Sequence, residues 1–486
     1  MIKRKISALL MTGMLSIGLL QAEELTLERV QLQLEHPANG SVMKLPEQPY
    51  LLVSGFNQYQ RWLSLIDSDA YEVQPLAIPP SAQFFTNAQL AGYERPQLVF
   101  WGLDGLYHMQ LPSGEYQQLL EVSSVHRVLD PVRLRQRNFT LDLGSELTDF
   151  FIPDFTESHL LRQQADGSFR HYRLQLPSRI QSWQSSRLDY QPRRPFVLDS
   201  NGNGRKDLLV VDDGRFWAFL QADDGSFSEQ PTALDWPVPL STERTLDQRN
   251  DAGRSYQGQQ LDRLFAVQDM NGDGIPDLVM ERELMADALE RNNEYRIHYG
   301  RMTEQGLQFV AEPDTRVKTD NVPIDVVIGD FNGNGRQDFY IPSTNIGVGT
   351  IIRVLLRGNA NLDIDFFLMD EHGRYPSRAD LRQQARVDVS ISNVRFDLPL
   401  FQLADLTGTG RKHLLVGESG RLRLYAPDSS RLFSRRSERL DLEVPRDSSR
   451  VLITDLTGNG KDDLVLPFDA QDKSEHRNQL HLVFSR

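Results

Sequence analysis

The stretch Asp269-Met-Asn-Gly-Asp-Gly-Ile-Pro-Asp277-Leu-Val-Met280 decides the fold. Nine residues rich in side-chain oxygen and glycine run straight into an apolar segment of strand character. The pattern returns as Asp199-Ser-Asn-Gly-Asn-Gly-Arg-Lys-Asp207-Leu-Leu-Val and as Asp330-Phe-Asn-Gly-Asn-Gly-Arg-Gln-Asp338-Phe-Tyr-Ile. Two worn copies follow, Asp405-Leu-Thr-Gly-Thr-Gly-Arg-Lys-His413 and Asp455-Leu-Thr-Gly-Asn-Gly-Lys-Asp-Asp463. A sequence that repeats one supersecondary unit stacks those units side by side.

Aligning the strand after each loop extends the repeat upstream. Asp149-Phe-Phe-Ile-Pro matches Asp338-Phe-Tyr-Ile-Pro behind a shortened loop, Asp142 to Thr148. Gln97-Leu-Val-Phe-Trp and Tyr50-Leu-Leu-Val-Ser fit the same register. The strand starts are then Tyr50, Gln97, Asp149, Asp207, Asp277, Asp338, His413 and Asp463, spaced by roughly 47 to 75 residues. The shorter spacings are near the length of a four-stranded propeller blade, and the longer ones imply insertions.

Within a unit, alternating apolar runs bounded by Gly, Asp and Ser read as strands and hairpin turns. The expected fold is all-β, a single closed propeller of eight blades, with seven as the alternative. The last unit has three strands, ending with Gln479 to Phe484. The alternating run Leu25 to Leu34 can supply the fourth, which would close the ring and hide a sheet edge. The repeats are clear over residues 195–467 and degenerate over 25–178, within a propeller of residues 23–486.

In such blades the A–B and C–D connections emerge on one face and the B–C and D–A connections on the other. The oxygen-rich loops are A–B connections. Four longer segments are expected on the opposite face: Ser241 to Gly258 and Asp370 to Arg386 as D–A, Glu281 to Asn293 and Ser343 to Gly349 as B–C. Of these, Glu281 to Asn293 reads as helical, with Leu284, Ala288 and Leu289 on one side. That face is the expected partner surface.

The spacing Asp-x-Asn-Gly-(Asn/Asp)-Gly-x-x-Asp offers side-chain oxygens at positions 1, 3, 5 and 9 and a carbonyl at position 7. Ca²⁺ takes six to eight such oxygens, and the glycines permit the curl that turns them inward. Mg²⁺ prefers a stricter octahedron, and the three complete loops carry no His or Cys for a transition metal. An EF-hand fails because Val210, Met280 and Ile341 stand where its Glu would be, and a strand follows instead of a helix. The candidate ligand sets are Asp199, Asn201, Asn203, Arg205 (carbonyl) and Asp207; Asp269, Asn271, Asp273, Ile275 (carbonyl) and Asp277; and Asp330, Asn332, Asn334, Arg336 (carbonyl) and Asp338. A fourth set, Asp455, Thr457, Asn459, Lys461 (carbonyl) and Asp463, is weakened by its threonine. The Asp405 loop keeps one carboxylate and is expected to be structural only.

The complete loops and their following Asp-(Leu/Phe)-(Leu/Val/Tyr)-(Val/Ile) strands resemble the FG-GAP/VCBS repeats of integrin α-subunit-like β-propellers. That resemblance implies calcium as a blade staple and ligand binding by the opposite face. It is specific for the repeat and carries little about function.

The N-terminus reads Met1-Ile-Lys-Arg-Lys5, an apolar run Ile6 to Leu20, and Gln21-Ala22 before Glu23. This is the form of a secretory signal of residues 1–22, and the run is short of the ~20 residues that span a bilayer. No later segment is long and apolar enough to span, so a soluble exported protein is expected, periplasmic or secreted. The absence of cysteine excludes a lipid-anchored cysteine, disulfides and thiolate zinc sites. A formal charge of −14 is unsuited to nucleic-acid phosphates and suits cations.

No catalytic constellation is legible. The ten histidines form no His-Glu-x-x-His, Gly417-Glu-Ser-Gly420 lies in a hairpin turn, and the Gly-x-Gly pairs belong to the loops. The five tryptophans are better explained by packing than by a sugar platform. The reading is a binding module for a protein or glycan, with a lyase-like polysaccharide enzyme as the alternative.

Overall fold

All eight aligned strand starts, from Tyr50 to Asp463, are the first residue of the second strand of an antiparallel blade in the computed structural model. The structure describes residues 16–22, 25–126, 133–182, 188–243, 245, 258–285, 291–319, 321–344, 359–390, 395–397, 400–418 and 421–486. The blades, numbered along the chain, occupy residues 42–76, 82–121, 140–174, 196–234, 260–319, 322–397, 401–440 and 452–485. Blade 8 has strands Leu452–Thr454, Asp463–Pro467 and Gln479–Ser485, and Leu25–Gln33 adds the fourth, with Val30 opposite Leu482. Strand Ser16–Ala22 pairs outside it. Most of the expected leader, residues 1–15, lies outside the described residues.

The apolar second strands are explained by burial on both sides. Side chains alternate across a strand, so successive residues face different neighbouring blades. Leu278 and Met280 pack into the cluster shared with blade 4, whereas Val279 joins the cluster shared with blade 6. Leu464 and Leu466 face blade 7, and Val465 faces blade 1. Eight such clusters each join two adjacent blades, and the cluster between blades 8 and 1 completes the ring. Three tryptophans fit this scheme: Trp101 and Trp236 are buried and Trp217 packs against the cluster of blades 3 and 4.

Two insertions differ from their sequence reading. The segment Glu281 to Asn293 is strand where described: Asp277–Met285 pairs with Arg291–His298 out to Met285 opposite Arg291. The period of three to four seen in Leu284, Ala288 and Leu289 gave way to cross-strand pairing, because both flanks continue existing strands. Ala288 and Leu289 lie outside the described residues.

Asp370 to Arg386 is a C–D connection running into the fourth strand of blade 6, Leu381–Ser390, and not a D–A insertion. Its start therefore sits on the face of the oxygen-rich loops. The third strand, Asn359–Phe367, is concealed in the sequence by the length of the preceding connection. Ser343 ends the second strand of blade 6 with Thr344, and residues 345–349 lie outside the described residues, as do residues 246–257 of the Ser241 to Gly258 segment.

Candidate metal centres

The five oxygen-rich loops join first and second strands on one face, and each curls on two glycines of positive φ. In the second complete loop these are Gly272 at 79° and Gly274 at 83°. The curl turns backbone N–H groups inward onto the position-1 carboxylate. Asp269 Oδ1 accepts from Gly272 at 2.8 Å and from Asp273 at 3.2 Å, and Oδ2 accepts from Gly274 at 2.8 Å. Asp199, Asp330 and Asp455 repeat all three bonds. Position 3 then accepts from position 5, as Asn271 does from Asp273 at 2.9 Å, and position 5 accepts from position 7, as Asp273 does from Ile275 at 2.8 Å.

Position 9 behaves differently. Asp207, Asp277, Asp338 and Asp463 are fully buried, each with both oxygens on backbone amides. One oxygen takes the N–H of position 2: Ser200, Met270, Phe331 and Leu456, at 2.8 to 3.1 Å. The other takes an N–H at the end of the third strand: Gln221, Gly300, Met369 and Ser485, at 2.7 to 2.9 Å. The carboxylate thus ties loop, second strand and third strand together. Burial pushes Asp277 up to about 7 and Asp338 and Asp463 up to about 6, and the bonds from the amides oppose that rise. In Asp277 the carboxylates of Asp273 and Asp269 add to it.

The asparagines at position 5 extend the tie. Asn203, Asn334 and Asn459 donate Nδ2 to the carbonyls of Gln221, Met369 and Ser485, at 3.4, 3.4 and 3.0 Å. Blade 3 has lost the loop and kept the buried carboxylate, since Asp149 Oδ1 accepts from Gln163 at 3.0 Å with Arg162 3.4 Å from Oδ2. Blade 7 has His413 at this place, and Asp405 N–H there bonds Asp462 of the next loop at 2.7 Å.

The donor chemistry of the three complete loops fits a hard divalent cation. Every side chain aimed along the curl offers oxygen, and an oxygen that accepts one amide retains a second lone pair for an ion. Positions 1, 3 and 5 are solvent-accessible, whereas position 9 lies beneath them. The fourth loop keeps the bonds of positions 1 and 5, and its Thr457 hydroxyl is directed to Asp455.

Side-chain groups that sequence reading did not single out also converge. Among the described residues, one group of three metal-capable side chains has ligand atoms within 4.8 Å of one another: Glu443, Glu475 and His476. It lies on the opposite face, where His476 and Lys473 both pair with Glu443. Residues more than thirty positions apart in two irregular connections carry no sequence signal for that meeting.

No protein-family model matches the chain, and no curated protein is similar to it in sequence. Among solved structures it is similar to an Agrocybe aegerita lectin described as recognising non-reducing terminal N-acetylglucosamine, at 14% identity and a TM-score of 0.43, over 82% of this chain and 94% of that one. It is similar to the Dos1 propeller at 8% identity and 0.42, over 93% of each chain. The WD40 domain of SCAP from fission yeast is similar at 8% and 0.37, over 94% of each chain.

Proposed function

We propose that this chain is an exported β-propeller of the FG-GAP/VCBS kind, stapled by calcium on one face and engaging a protein or glycan with the other. Calcium would be held by the loops beginning at Asp199, Asp269 and Asp330, with the loop at Asp455 as a fourth candidate. Bound there, the ion would draw the oxygens of one loop together and offset the local negative charge. The chain's own contribution is already in place, because the amide bonds to positions 1 and 9 hold each loop in its curl.

The observation that carries the binding role is the overrun of blades 5 and 6 on the opposite face. There the second and third strands of blade 5 pair over eight positions, as do the third and fourth strands of blade 6. The overrunning strands of blade 5 carry fixed charge pairs: Arg282 is bidentate to Asp262, with Nε at 2.6 Å from Oδ1, and Arg263 lies 3.0 Å from Glu281. Bidentate pairs orient a polar surface and favour specificity over raw affinity. Replacing residues 283–293 with a two-residue turn, and separately Arg282 with Gln, should abolish retention of an envelope partner on immobilised protein while the ring stays folded. Undiminished retention of that partner by both variants would remove the opposite face from the account.

A further inference from the structure

We infer that the groove between blades 6 and 7, on the loop face, is a binding site for an acidic oligosaccharide. This goes beyond the opposite-face reading and does not depend on it. The groove has a volume of about 820 Å³ and lies between the connection that follows Phe367 in blade 6 and a small hairpin of blade 7. A volume of that size is in the range that encloses most of a small ligand.

The hairpin is Pro427–Asp428 paired with Leu432–Phe433. It is pinned from beneath, because Leu432 and Phe433 are buried in the cluster between the two blades, with the Phe433 ring 5.3 Å from that of Phe366. Arg431 and Arg435 therefore flank two fixed anchors and line the groove, and Arg411, at position 7 of the blade 7 loop, lines it as well. Three guanidiniums against two carboxylates, Asp380 and Asp428, leave this lining positive by one charge in a chain of net charge −14.

The state of the lining groups indicates the ligand. None of the three arginine side chains makes a hydrogen bond or close ion pair with a described residue, and neither does the amide of Gln383 or the hydroxyl of Ser429. The carboxylate and asparagine acceptors of the lining each take a bond already at one oxygen, including Asn332 and Asn334, whose Oδ1 atoms accept from the N–H groups of Asn334 and Arg336 at 3.0 and 2.8 Å. Asp428 Oδ1 accepts the N–H and O–H of Ser430 at 2.8 and 2.7 Å, and Asp380 Oδ2 accepts the N–H of Leu368 at 2.8 Å.

The groove thus sets five donor groups without a described hydrogen-bond partner against acceptors that already take a bond, which favours a ligand rich in acceptors and negative charge. It contains no exposed aromatic anchor of the sort on which protein interfaces depend. Hydroxyls and carboxylate or sulfate groups on a saccharide match guanidinium, amide and serine donors together. The carboxylated and sulfated forms share this chemistry, and the test separates them.

Titration calorimetry of the full chain at low salt would use an oligogalacturonate, a sulfated dextran oligomer, neutral maltotetraose and an oligoglutamate peptide. We expect one or both acidic saccharides to bind, the neutral one not to bind, and the peptide to bind more weakly. R431Q/R435Q should weaken saccharide binding by about tenfold or more, as should R411Q assayed alone, with unchanged melting. R435K, which keeps the charge, should retain most of the affinity and guards against misfolding of the double variant. Shortening the opposite-face hairpin should leave this affinity intact. Absence of binding by both acidic saccharides at millimolar concentration, equal binding by folded R431Q/R435Q, or a preference for the peptide would each overturn the inference.

Discussion

The Oδ2 atom of Asp277 accepts the backbone N–H of Met270 at 2.8 Å, and its Oδ1 atom accepts that of Gly300 at 2.9 Å. One buried carboxylate thereby joins a loop to two strands, and the same pair of bonds recurs at Asp207, Asp338 and Asp463. Removing a buried acceptor leaves an amide unpaired, at about 1–3 kcal/mol each. Asp277→Ala and Asp338→Ala should each lower unfolding free energy by at least that amount in metal-free buffer, as read by urea denaturation. Wild-type midpoints for both would mean that the carboxylate does not act as a tie.

Closure by the N-terminal strand makes a separate prediction. Leu27 packs between blades 7 and 8, and Val30 between blades 8 and 1, both fully buried. Leu27→Ala should cost about 2–5 kcal/mol, although the residue lies more than four hundred positions from the strand it covers. Deleting residues 25–33 should expose the edge of Gln479–Ser485 and drive association, visible by sedimentation. A monomeric, fully stable deletion would contradict this closure.

Neighbouring loops touch through their glycines. A Cβ on Gly272 would lie 2.8 Å from the Gly335 carbonyl of the next blade, whereas one on Gly274 would meet nothing within 4 Å. Both have positive φ, so alanine strains both backbones. Gly272→Ala should therefore be the more destabilising, and the difference in melting temperature between the two variants isolates the contact between blades. Equal losses would show that the loops are independent.

His481 lies on the third strand of blade 8 and is fully buried. Burial, with smaller contributions from His476 and Arg29, holds its pKa down at about 3. The unfolded chain binds this proton near the ordinary value of about 6.5, so the contribution of neutral His481 is present above 6.5 and lost as pH falls towards 3. His481→Gln should flatten the decline of stability across that window by up to about 1.4 kcal/mol per pH unit. Parallel profiles for the two proteins would rule the residue out as a source of acid sensitivity.

The strand starts and the closing strand were legible because burial on both sides of a blade forces apolar runs, and turn chemistry marks their ends. Even Tyr50 and Gln97, which lack the oxygen-rich loop, were reachable by register alone. The loops gave the candidate ligand list directly, but position 9 read only as a ligand. Nothing local in sequence reveals that Asp277 also bonds Gly300, since that amide arrives from the third strand. The segment Asp370 to Arg386 was assigned to the wrong face because the third strand of blade 6 stands far from the second. The groove at Arg431 and Arg435 was missed for a related reason, its walls coming from two blades whose connections share no motif.

The central claim is that the three complete loops hold calcium, and metal content tests it most directly. Protein purified in calcium, desalted and measured by elemental analysis should carry one calcium for each loop beginning at Asp199, Asp269 and Asp330. Asp269→Asn with Asp273→Asn should remove one of these ions and reduce the rise in melting temperature that calcium produces. Calcium-free protein whose melting temperature is unchanged by saturating calcium would contradict the account.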